Sequence, residues 1–296
     1  MANPLPFERT PAHVAVIGPD LTVRRALPAR ARRTIGAWCF LDHAGPAPPA
    51  GAPLRIGPHP HIGPQTFTWM IEGEMLHRDS LGYRQPIRPG QVNLMTAGRG
   101  IAHSEESLDP ALGMHLAQLW IALPKGKQER EPAFEHFPEL PIVERGGFRM
   151  NVLVGEVDGQ RSPVPSYTPL LGIDLASAQA AETELPLDRS YEHGVVILEG
   201  ECTVDGEPLP RDTLLYAAPG IDRIVLRSNG RARALLVGGA PFGEPIILWW
   251  NFVARTQDEI VRATNDWNAH RRFGEVEGFD GPRLVAPDVS LLKLRT

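Results

Sequence analysis

The stretch Thr68-Trp69-Met70-Ile71-Glu72-Gly73-Glu74 returns as Val195-Val196-Ile197-Leu198-Glu199-Gly200-Glu201, 127 residues further along when Glu199 is set against Glu72. In both copies a run of mostly apolar side chains ends at a glycine, the pattern of a strand entering a tight turn. A second glycine-bounded strand follows each copy: Val92 to Thr96 before Ala97-Gly98, and Leu214 to Ala218 before Pro219-Gly220. An internal repeat of this kind predicts two similar β-domains in tandem.

Working outward, further short segments bounded by Gly, Pro or Asp read as strands: His13 to Ile17, Ala37 to Leu41, His115 to Leu123, Arg149 to Val154, Ile224 to Leu226 and Ala234 to Val237. With 29 glycines and 30 prolines, the chain has the turn supply of an all-β sandwich or barrel. Pro124 to Gly147, rich in charge and proline, reads as the connector, which places a first domain at 1–130 and a second at 131–296. One helix is expected near the C-terminus. There Thr256 and Glu259 make a capping box, and Ile260, Ala263, Thr264 and Trp267 fall on one face. Trp267, and Trp249, Trp250 and Phe252 before it, read as packing residues.

Composition narrows the function classes. The chain is 42% hydrophobic and 22% charged with a net charge of −5, and no stretch gathers the Lys and Arg needed for unaided nucleic-acid binding. Cys39 and Cys202 are the only cysteines, far apart and without CxxC spacing, so neither a disulfide framework nor a thiolate zinc site is indicated. Met1 to Arg9 has no apolar signal core, and no run of about eighteen apolar residues occurs. The expectation is a soluble, cytoplasmic protein with no membrane span.

The chemistry concentrates between the two strands of the first copy. His59-Pro60-His61 places two imidazoles at i and i+2, which project from one face of an extended strand, and Pro60 disfavours helix there. His103-Ser104-Glu105 repeats the spacing after the turn Thr96 to Gly100. A lone His-x-His is commonly a surface feature, but a second chelating pair on a matched segment points to one metal site. Three imidazoles and a carboxylate leave open positions in an octahedron, which suits Fe(II) best and also admits Mn, Ni, Cu, Co or Zn.

The segment from His59 through Glu105, "HPHIGPQTFTWMIEGEMLHRDSLG" and then "MTAGRGIAHSEES", resembles the pirin family of the cupin superfamily. The resemblance extends to Leu41-Asp42-His43 upstream and to the tail "NFVARTQDEIVRATNDW". It implies two tandem cupin jelly-roll barrels, with one iron held in the N-terminal cupin by His59, His61, His103 and Glu105. The C-terminal cupin would be metal-free, and the second copy indeed offers only a lone His193, read as structural. Family members often carry Arg and Glu shortly after the second histidine, where this chain has Ile62 and Gln65; those are not ligand positions, but the polarity of the pocket is affected.

Two functions of different class follow from the resemblance. One is a quercetin 2,3-dioxygenase-like enzyme acting on a flavonol or related small aromatic enediol, with Glu105 as ligand and general base. The other is a non-catalytic regulator whose metal state governs binding to a protein partner, either a transcription factor or a metabolic enzyme. Another cupin activity, such as an isomerase or a different oxygenase, is a looser third reading. Of the remaining candidates, His77, Arg78 and Asp79 read as a solvated hairpin tip, His115 as pointing either into or out of the barrel, and Arg99 as serving the turn or a surface ion pair.

Overall fold

The repeat is visible as paired strands. Pro64–Glu72 runs into Gly73 at φ 85°, and Glu192–Glu199 runs into Gly200 at φ 72°, a left-handed backbone that glycine adopts without steric cost. Each strand has the same two neighbours in its sheet. Pro64–Glu72 lies between Val92–Thr96 and His115–Ala122, while Glu192–Glu199 lies between Thr213–Ala217 and Ala232–Gly239. The architecture is known from a computed structural model that describes residues 7–17, 21–47, 54–109, 111–289 and 292–294; the first six residues of the expected N-terminal segment Met1 to Arg9 lie outside these. The fold is all-β, two tandem cupin-type jelly rolls with one helix among the described residues. That helix is not long and apolar enough to cross a membrane.

The chain groups into two compact units that are interleaved in sequence. One comprises Met1–Ala15, Arg24–His43 and Glu139–Phe242; the other comprises Val16–Val23, Ala44–Pro138 and Gly243–Thr296. In the latter, a four-stranded sheet runs in the order Arg55–His61, Ile101–Ser107, Met75–Asp79, Arg84–Ile87. Ala133–Phe137, Val92–Thr96, Pro64–Glu72 and His115–Ala122 lie side by side in a larger sheet. The stretch from Pro124 to Gly147 is therefore more than a connector. Ala133–Phe137 pairs in register with Val92–Thr96, and Ile142–Arg145 pairs with Phe148–Val154. Charge and proline hid these strands because their polar residues face outward at edge positions, where period-two burial is weak.

The helix Gln257–Asn268 has the expected capping box: Thr256 Oγ1 accepts from the Glu259 amide at 3.3 Å, and Glu259 Oε2 accepts from the Thr256 amide at 3.0 Å. Its buried face is Ile260, Ala263, Thr264 and Trp267. The apolar cluster it joins includes Ile62 and Ala102, the residues immediately after His61 and before His103, together with Phe252 and Phe273. The segment after the helix continues this support, with the Leu284 amide donating to the Pro58 carbonyl at 2.8 Å. Packing from 243 onward thus lies directly against the two strands that carry the His-x-His and His-x-Glu motifs.

The unit containing residues 139–242 repeats the four-stranded sheet as Ala181–Pro186, Arg223–Ser228, Cys202–Val204 and Glu207–Leu209. In that sheet Leu185 pairs with Ile224, and both belong to a continuous apolar core. His193 is buried in this unit against Gly238, where a Cβ would come 2.7 Å from the imidazole Cδ2, consistent with a packing role. Leu41-Asp42-His43 is structural as well: Asp42 receives Arg25 through two bonds of 2.7 Å, and His43 Nδ1 lies 2.9 Å from Asp212 Oδ1.

Candidate metal centre

Antiparallel pairing brings the two motifs together. Arg55–His61 and Ile101–Ser107 are adjacent strands in which His103 stands opposite His59 and Ile101 opposite His61. Because alternate residues share a face, His59, His61 and His103 project to the same side. Their rings lie 4.2 to 5.2 Å apart between centroids. His61 Nε2 and His103 Nε2 are 3.1 Å from each other, and one ring nitrogen from each of the three histidines lies within 4.8 Å of the other two. Nitrogens bonded to one ion at about 2.1 Å sit about 3 to 4 Å apart, so a single metal fits among them.

The surroundings orient two of the rings. His59 Nδ1–H donates to the Gly57 carbonyl at 2.9 Å, which fixes that tautomer and leaves Nε2 with its lone pair inward. The edge of Trp120 meets His61 at 5.1 Å with the planes 86° apart. All three histidines are buried. Burial pushes the His59 imidazole down to about 4 and holds His61 and His103 well below the ordinary histidine range, with the neighbouring imidazoles adding to the effect. At neutral pH the three are uncharged donors, the state a metal requires.

Glu105 follows His103 on the same face, but a β-bulge intervenes. Against Arg55–His61 the register shifts between His103 and Glu105, so Glu105 faces Ile56, whereas on the other side it stays regular and faces His77. Glu105 is 7% exposed, and burial alone raises its carboxyl to about 7. Among the described residues no cationic side chain offsets this. The Glu105 carboxyl is not among the donor atoms of His59, His61 and His103 that lie within 4.8 Å of one another.

His77 and Asp79 correct the expectation of a solvated hairpin tip. Both are buried, in the strand Met75–Asp79, and the reason is that this strand is central in its sheet, between Ile101–Ser107 and Arg84–Ile87, so that Asp79 is buried even though it closes the hairpin turn. His77 Nε2 is 2.9 Å from Asp79 Oδ2, its ring stacks on Phe134 at 4.3 Å, and it lies 5.2 Å from the His103 ring. Arg78, between them, points the other way to an ion pair with Glu106. The signal was present as His77-x-Asp79, the same period-two spacing as the two recognised motifs. His115 is buried opposite Glu72 beside the Gly73 turn and does not join the three clustered histidines. Arg99 forms the surface ion pair, with Glu131 at 2.6 Å. Ile62 belongs to the apolar cluster behind the site, and Gln65 is buried with Nε2 donating to Thr96 Oγ1 at 3.0 Å.

Residues 20–121 match the family model described as Pirin, and residues 172–274 match that of the Pirin C-terminal cupin domain. The chain belongs to the pirin family. A pirin-like protein of Caulobacter vibrioides is 40% identical, over 85% of this chain and 90% of its own length. A Pseudomonas aeruginosa protein carrying the provisional name quercetin 2,3-dioxygenase is 52% identical over 96% of this chain and 90% of its own. The crystal structure of a quercetin 2,3-dioxygenase from Acinetobacter baumannii superposes with a TM-score of 0.94 at 50% identity, covering 97% of each chain. In this pirin the inner face of the first copy thus carries a cluster of three histidines, on two adjacent strands, that could hold a metal ion.

Proposed function

We propose that this pirin is a mononuclear metal-dependent dioxygenase acting on a flavonol or a related aromatic enediol, with His59, His61, His103 and Glu105 holding the ion. The observation that carries the proposal is the convergence of three uncharged imidazoles on one inner face; Glu105, buried on the strand that carries His103, is proposed as the fourth ligand. The likeness to the Acinetobacter baumannii quercetin 2,3-dioxygenase supports the choice of reaction. Among metals, Fe(II) suits the mixed nitrogen and oxygen set best, and Mn, Ni, Cu, Co and Zn are compatible with it. When bound, the metal supplies a Lewis acid and a template for substrate and dioxygen.

The protein's own groups supply positioning and proton handling. The strands under Trp120, Ile62 and Ala102 hold the imidazoles in a dry setting, where they compete weakly for protons. Glu105 is the one carboxylate of the proposed set, and it can switch between holding the ion and taking the proton of a substrate hydroxyl, returning it to product. A cytoplasmic setting is part of the proposal, since two cysteines far apart in sequence make no disulfide framework.

The test is elemental analysis of protein purified without added metal, then anaerobic loading with Fe(II) and measurement of dioxygen uptake with quercetin. One metal per chain with quercetin-dependent uptake is the expected result. One metal without uptake would overturn the enzyme assignment and leave the metal-responsive regulator, with its protein partner, as the reading to pursue.

A further inference from the structure

Behind the metal-facing nitrogen of His103 runs a chain of hydrogen bonds that ends in a fixed carboxylate. Asp79 Oδ1 accepts from the backbone amides of Leu81 at 2.9 Å and Tyr83 at 3.1 Å, so this oxygen is committed as an acceptor. Asp79 Oδ2 lies 2.9 Å from His77 Nε2. His77 Nδ1 lies 3.4 Å from His103 Nδ1, and His103 Nε2 faces His61 Nε2. The stack on Phe134, with planes 14° apart, holds the His77 ring in this orientation.

We propose that Asp79 and His77 are positioning residues that set the tautomer of His103. The argument follows the donors in order. A carboxylate whose Oδ1 is occupied by two amides presents Oδ2 as an acceptor, so His77 carries its hydrogen on Nε2. In a neutral imidazole the other nitrogen is then bare, and His77 Nδ1 becomes the acceptor for His103 Nδ1–H. His103 is left with its lone pair on Nε2, directed to where the ion would sit. His59 reaches the same state through the Gly57 carbonyl, so two of the three histidines have their metal-facing nitrogen chosen by a partner on the far side of the ring. The inference rests on the metal-site reading and adds to it a direction for every hydrogen in the relay.

Asp79→Asn is the discriminating variant, because it preserves shape and reverses one polarity. With Oδ1 still accepting from the two amides, the side-chain NH2 would face His77 Nε2 and force its hydrogen to Nδ1. Two N–H groups would then oppose each other between His77 and His103, and His103 would have to move its hydrogen to Nε2, the metal-facing nitrogen. The probe is Co(II) alone, titrated into metal-free full-length protein against a competing chelator. Apo thermal stability is recorded for each variant.

The expected result is a loss of Co(II) affinity of about 10- to 100-fold in D79N, in the range of partner deletions behind metal-bound histidines. His77→Phe, which keeps the aromatic stack, should lose affinity similarly, and adding D79N to it should cost nothing further, since the relay is already cut. His77→Gln, able to donate to Asp79 and accept from His103, should recover most of the loss. Affinity of D79N within about twofold of wild type, or an equal D79N penalty with and without His77, would overturn the relay. If D79N fails to fold, equal affinities of His77→Gln and His77→Phe would overturn it instead. A wild-type protein that takes up no Co(II) would overturn the metal-site reading and the relay together, whereas failure of the relay alone leaves wild-type binding intact.

Discussion

His61 and His103, 42 residues apart in sequence, face each other through their Nε2 atoms at 3.1 Å. Burial keeps both rings uncharged, so two nitrogen lone pairs, or a lone pair and a hydrogen, meet in a setting with little water to intervene. The fold thus sets two of the proposed donors face to face, with His59 as the third.

Removing either member should therefore eliminate the chelate. His61→Ala and His103→Ala are each expected to purify without stoichiometric metal. Added metal should no longer raise their melting temperature, whereas a thousandfold excess over the dissociation constant stabilises wild type by about 4 kcal/mol. Elemental analysis and thermal melts with and without metal check this, and retention of one metal per chain in either variant would remove that residue from the site.

Glu105→Gln keeps the shape but removes the ionisable carboxyl. Metal should be retained with reduced affinity, while quercetin-dependent dioxygen uptake falls further, by about 10²- to 10⁴-fold for loss of a general base. Parallel measurement of affinity and turnover separates the two roles. Losses equal in size would restrict Glu105 to holding the ion.

In the other unit, His193 should make the protein acid-sensitive. Its ring nitrogens are buried without hydrogen-bond partners among the described residues, and burial pushes the imidazole down to about 4, partly offset by Asp188. The unfolded chain takes up this proton from about pH 6.5 downward, while the folded chain resists until about pH 4. Stability is therefore complete above pH 6.5 and is lost as pH falls towards 4, by up to about 3 kcal/mol. Denaturant unfolding of metal-free wild type and His193→Gln at pH 7, 5 and 4 should show the variant losing less across that range.

Trp267→Ala should loosen the packing behind the metal strands. The ring is fully buried among Ile62, Ala102 and Phe273, its Nε1 donates to the Leu284 carbonyl at 2.7 Å, and Arg283 covers its face at 3.4 Å. A cost of about 3 to 5 kcal/mol is expected from deleting a buried aromatic. Chemical denaturation measures it, and a cost under about 1 kcal/mol would mean that the C-terminal segment contributes little to the unit.

The period-two motifs were legible because the alternation of a strand is local: whichever strand pairs with it, His59 shares a face with His61, and His103 with Glu105. The repeat at Thr68 and Val195 was legible for the same reason, since each glycine stop marks the end of its own strand. The helix cap was legible too, because Thr256 and Glu259 satisfy each other within one turn. His77 and Asp79 carry the same alternation and were nevertheless misread, since a strand in the middle of a sheet and a hairpin tip share that local pattern. Only the pairing of Met75–Asp79 with Ile101–Ser107 distinguishes them.

By itself, then, the sequence determined the all-β tandem fold, the C-terminal helix and the four residues proposed to hold the ion, all of which depend on spacing within single segments. Tertiary structure alone decided that His103 stands opposite His59, that the register slips between Ile56 and His59 opposite Glu105 and His103, that His77 and Asp79 lie beneath the site, and that residues beyond 243 pack behind it. These are matters of register and long-range packing. They are set by which distant backbone groups satisfy one another and which apolar faces close together, and no run of neighbouring residues encodes that.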